Sequence, residues 1–65
     1  MEDIDLYRTA SEMIKHHGDD AALHAALKAD ALLAKGDMHG AKVWRGVIKK
    51  IEILLKQNAE EQTRH

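Results

Sequence analysis

Lys35-Gly36-Asp37, and before it His17-Gly18-Asp19, place a basic residue, a glycine and an aspartate side by side twice in 65 residues. Each triplet reads as one helix ending and another beginning. Glycine adopts the left-handed conformation just past a helix C-terminus, the cation suits the negative end of the helix dipole, and aspartate caps the helix that follows. Working outward from these junctions in a chain without proline, the sequence predicts helices over about 4–17, 20–35 and 38–57. Residues 58–65 are polar apart from Ala59 and are expected to form a frayed tail. The expected fold is all-α: a single three-helix up-down-up bundle over residues 1–57, with short Gly-Asp turns.

Winding each segment at about 100° per residue assigns its faces. On the first, Leu6, Ala10, Met13, Ile14 and His17 share an arc with Tyr7 at its edge. On the third, Val43, Trp44, Val47, Ile48, Ile51, Leu54 and Leu55 form a continuous apolar stripe about 160° wide. Gly46 lies off that stripe and weakens the helix by ~1 kcal/mol relative to alanine. The middle segment differs in kind. Leu23, Ala26, Leu27, Leu32, Leu33 and Ala34 spread over roughly 220°, leaving a narrow polar strip of His24, Lys28 and Lys35. A helix apolar over that range is expected to be covered on more than one side, by the other two helices and by a second copy of the chain.

Composition points the same way. With no cysteine there is neither a disulfide nor a cysteine-based zinc site, and with no phenylalanine, one tryptophan and one tyrosine, large rings are scarce. Ten alanines make up about a third of the apolar residues. A core of this kind is marginal at this length, and homodimerisation would relieve the shortage. The start, Met1-Glu2-Asp3-Ile4-Asp5, resembles neither a signal nor a transit peptide, and no run approaches the ~18 apolar residues that span a bilayer. A cytoplasmic protein with no membrane role is expected. A net charge of −1 provides no general field for nucleic acid, so such a role would need a local patch.

Asp30 falls within the apolar arc of the middle helix. A carboxylate there must find donors, because an unpaired buried charge is very costly. Tyr7 and Trp44 lie at a similar height on the flanking helices, so the sequence predicts a structural buried polar layer of Tyr7, Asp30 and Trp44. His17, Asp20 and His24 bracket one junction, but three ligands without supporting groups make a poor metal site, and none is expected. No cofactor is expected either: the four glycines are isolated, and the lone serine, Ser11, lacks a base to activate it. The chain is not expected to be an enzyme. Lys42, Arg45, Lys49 and Lys56 follow one face of the third helix, interrupted by Glu52, and form a possible anion or nucleic-acid face.

Two resemblances bear on the reading. Gly36-Asp37-Met38 followed by Ala41 is similar to the turn of a tetratricopeptide repeat, though only one copy is present and no proline closes the unit, so it marks a shared helical hairpin. Tyr7-Arg8-x-Ala10, His17-Gly18-x-x-Ala21, Ala29-Asp30-x-Leu32-Leu33 and Gly36-Asp37-x-x-Gly40-x-x-x-Trp44 together resemble a group of short, mostly alphaproteobacterial helical proteins of unassigned activity. That resemblance implies fold and a bacterial origin, not chemistry. The expected function is a non-enzymatic helical module that binds another protein and associates with itself. The alternative is a small nucleic-acid-binding regulator acting through the basic face.

Overall fold

The computed structural model describes the backbone of residues 3–63 and the side chains of residues 3–57. Among the described residues the chain is helical with no strand. α1 runs Asp3–His17, a 3-10 turn covers Gly18–Asp20, α2 runs Ala21–Ala34 and α3 runs Met38–Thr63.

The two glycine junctions behave differently. At the second, Gly36 takes φ 82° and closes a Schellman turn. The Gly36 N–H donates to the Leu33 carbonyl at 3.0 Å and the Asp37 N–H to the Leu32 carbonyl at 2.9 Å. Asp37 then accepts from the Gly40 N–H at 2.8 Å through Oδ1, which caps α3 as expected.

At the first junction Gly18 also has a positive φ, 58°, but a 3-10 turn rather than a capped loop follows it. The Ala21 N–H bonds back to the Gly18 carbonyl, and neither His17 nor Asp20, the residues flanking the turn, makes a side-chain cap. The expected cap by Asp19 is therefore replaced by 3-10 hydrogen bonding. The i→i+3 backbone bond of a 3-10 turn satisfies the first N–H of α2 without a side-chain oxygen. The 3-10 turn joins α1 to α2 with no non-helical residue between them, and the sole non-helical segment among the described residues is at 35–37.

The third helix is longer than expected. α3 continues to Thr63, where the sequence had indicated a frayed tail beyond residue 57. Between Lys56 and Thr63 no glycine or proline intervenes, and alanine, glutamate and glutamine are good helix formers.

The core is built largely from small residues. Ala10, Met13, Ala21, Ala25, Ala29, Ala41, Val47 and Ile51 are buried, and among the described residues only Val47 and Ile51 are large and fully enclosed. Leu6, Ile14, Trp44, Ile48, Leu54 and Leu55 pack around them, half-buried. The stripe assigned to α3 is thus the one that faces inward. α3 touches both other helices, and its contact with α2 is the most extensive.

Gly46 lies where α1 meets α3: a Cβ built there would stand 3.2 Å from Leu6 Cδ1, a close contact with the free end of a flexible side chain. The fold is elongated, 47 × 22 × 15 Å, with a radius of gyration of 12.5 Å. A compact chain of this length has about 10.7 Å.

Candidate interaction surface

α2 packs inward through Ala21, Ala25 and Ala29, which recur every four residues on one side. Their small side chains let the helix lie close to its neighbours, and this decides what remains outside. Leu23 is 59% exposed and Leu27 56% exposed, with Asp30, Ala31 and Ala34 also open to solvent. Positions 23, 27, 30 and 34 repeat at intervals of four, three and four, the spacing of a helix-pairing seam. α2 therefore presents an apolar stripe about 17 Å long to solvent, with one carboxylate inside it.

The predicted polar layer is not formed. Asp30 is exposed, Tyr7 is 37% exposed, Trp44 is only half-buried, and no polar residue is buried among those described. The rings have other partners: the Lys28 ammonium lies 5.6 Å from the Trp44 ring centre, and Lys50 lies 4.8 Å from that of Tyr7. The physical reason is the width of α2's apolar arc. Only part of an arc spanning roughly 220° fits against two neighbours, and the alanine side packs closer than the leucine side. Asp30 belongs to the leucine side, so it meets water and needs no donor.

The turn between α1 and α2 holds an arrangement that the sequence did not reveal. His17 and His24 stack with ring centres 3.8 Å apart and planes 17° apart, while His16 meets His17 edge-on at 6.5 Å. His17, expected to be partly buried, is exposed to solvent, and His24, expected on a solvated strip, is half-buried. Loss of water around the ring lowers the His17 pKa, and repulsion from His24, His16 and Lys28 adds to this against the opposing pull of Asp20. Stacked faces do not turn their nitrogens toward a common point. Among the described residues no group of three or more His, Cys, Asp or Glu side chains is placed to hold a metal ion.

Lys42, Arg45, Lys49 and Lys56 are all exposed along the outer side of α3, with Glu52 between them. Beside this row, Leu6, His39, Lys42, Val43 and Gly46 line a shallow open cleft between α1 and α3. Among the described residues no helix is long and apolar enough to cross a membrane. No protein-family model matches the chain, and no curated protein or solved structure is significantly similar to it.

Proposed function

We propose that this chain is a non-enzymatic helical interaction module, its three helical stretches acting as an up-down-up bundle that associates with itself through α2. One observation carries this reading. Two leucines more than half exposed stand on the side of α2 opposite its buried alanines. Isolated exposed leucines are ordinary, whereas a stripe at helix-pairing intervals marks a surface with a partner. Sedimentation equilibrium from micromolar to millimolar chain tests it. The measured mass is expected to rise toward two chains with concentration, and Leu27→Glu to hold it at one. A wild-type chain that stays at one-chain mass throughout sinks the proposal.

A second reading, a small nucleic-acid-binding regulator, draws support from the exposed row Lys42, Arg45, Lys49 and Lys56. These cations cover about 21 Å of α3, enough to follow several phosphates. Gel-shift titration over a salt series is the test. Phosphate contacts weaken steeply with added salt, so binding that is absent at low salt or insensitive to salt rejects this reading.

A further inference from the structure

We propose that the hollow over Trp44, between α2 and α3, binds a planar aromatic ring that carries a phosphate, the chemistry of a nucleotide. The ring lies against the indole, and Lys28 and Lys35 hold the phosphate. The site is separate from the row Lys42, Arg45, Lys49 and Lys56, none of which lines it, and it does not depend on self-association.

Shape, floor and charge meet here. Lys28, Ala31, Leu32 and Lys35 of α2 and Trp44 of α3 line an open hollow of about 220 Å³. Sites that enclose a whole ligand measure ~300–1,000 Å³, so this one takes a single ring system and leaves the rest of its ligand in water. With no phenylalanine and one tyrosine besides, the Trp44 indole is the widest flat apolar surface in the chain. It is half-buried, packed against the core yet bordering the hollow. The Lys28 ammonium stands 5.6 Å from the ring centre, near the ~6 Å limit of a cation–π contact, so it covers the ring only loosely. A planar base stacks on such a surface because every base has a π-face.

The charge selects phosphate. Lys28 and Lys35 are both exposed and stand seven residues apart on α2, two turns or about 10.5 Å along its axis. Their flexible four-carbon stems can bring both ammoniums to one anion. Among the described residues no Asp or Glu lines the hollow, and neither lysine pairs with a carboxylate. A phosphate monoester, with a charge of about −1.5 to −2 at pH 7, balances both ammoniums, whereas a carboxylate balances one.

Trp44 is the single tryptophan, so its fluorescence reports stacking directly when excited beyond the absorption of the nucleotide. The ligands to titrate at low salt are AMP, adenosine and inorganic phosphate. AMP is expected to quench the emission to saturation, adenosine to bind several-fold more weakly, and phosphate alone to leave the emission unchanged. Lys35→Gln leaves the contact of Lys28 with the ring in place and is expected to weaken AMP several-fold without changing adenosine. Lys15→Gln makes the same charge change at an exposed position of α1 and is expected to change neither. Far-UV circular dichroism checks the helix content of both variants; should Lys35→Gln lose it, the AMP-to-adenosine ratio of the wild type decides alone.

Quenching that has not saturated by about 10 mM AMP, where a site with a Kd of ~1 mM is nine-tenths filled, overturns the site. Equal binding of AMP and adenosine overturns the role of the lysines. Equal weakening by Lys15→Gln and Lys35→Gln means that overall charge and not this hollow attracts the anion, and overturns the proposal too. A short oligodeoxyadenylate separates the two sources of a nucleotide. Tighter binding than AMP per nucleotide assigns a single strand, and binding no tighter assigns the free mononucleotide; both support the site.

Discussion

Truncating Ile51 is the most severe single test of the packing. Among the described residues only Ile51 and Val47 are both large and fully enclosed, and the other buried positions are five alanines and Met13. Ile51→Ala removes three carbons from the point where α1, α2 and α3 converge, and substitutions of this class cost about 2–5 kcal/mol. A domain of this length holds roughly 3–10 kcal/mol in total. The variant should therefore lose most of its stability, with a large unfolded fraction at 25 °C. Ile51→Val, which removes one carbon, should cost about 0.5–1.5 kcal/mol. With a urea slope near ~1 kcal/mol/M for a chain this small, its midpoint should fall by roughly 0.5–1.5 M. Ile53→Ala is the internal control: on the same helix but 39% exposed, it should cost well under half as much as Ile51→Ala. The assay is urea titration followed at 222 nm, at one fixed chain concentration so that association does not enter the comparison. Equal losses for Ile51→Ala and Ile53→Ala would mean that α3 does not turn its Val47–Ile51 face inward, and the described core would be wrong.

Three further outcomes are expected. Asp37→Ala removes the acceptor of the Gly40 N–H and should cost ~0.5–2 kcal/mol, read as a lowered melting temperature. Gly46→Ala gains up to ~1 kcal/mol of helix propensity against a 3.2 Å approach to Leu6 Cδ1. Leu6 borders the open cleft and can yield, so a net rise in melting temperature is expected, and a fall would mean that α1 is held more rigidly than described. The contribution of His17 to stability should also shrink as pH falls. The folded His17 pKa lies below the ordinary histidine value of 6.5, so on acidification through that value the unfolded chain takes up the proton first. This contribution is fully present above about pH 7.5 and shrinks as pH drops through 6.5 toward the folded pKa. Thermal melts of wild type and His24→Ala across pH 5.5–8 check it, and an unchanged slope in the variant would contradict the role of the stacked pair.

The segmentation of the chain was legible because it rests on local chemistry. Gly36 and Asp37 act through backbone conformation and a bond three residues away, and both roles can be read from neighbours in sequence. The inward stripe of α3 was legible for the same reason, since one apolar face of ordinary width leaves a single orientation. α2 was not, because an arc spanning roughly 220° offers several orientations, and the choice among them depends on side-chain size at the contact. Placing Asp30 in a buried layer overlooked the i, i+4, i+8 spacing of Ala21, Ala25 and Ala29, the one signal that could have placed the alanine side inward. The His17–His24 stack depends on how the chain turns at Gly18, and no sequence spacing encodes that angle. The row of cations on α3 was visible at once, but visibility of a charge pattern says nothing about what meets it.

The turn at 35–37 also governs how the molecule comes together. Its hydrogen bonds lie within six residues of one another, so the two helices it joins meet at almost no loop-closure cost. Those helices also share the largest contact, which makes the α2–α3 hairpin the natural nucleus onto which α1 docks. With partners this near along the chain, assembly belongs to the microsecond-to-millisecond regime of helical proteins. Damage to the hairpin turn would then slow acquisition of the native state, whereas damage within α1 would chiefly hasten its loss.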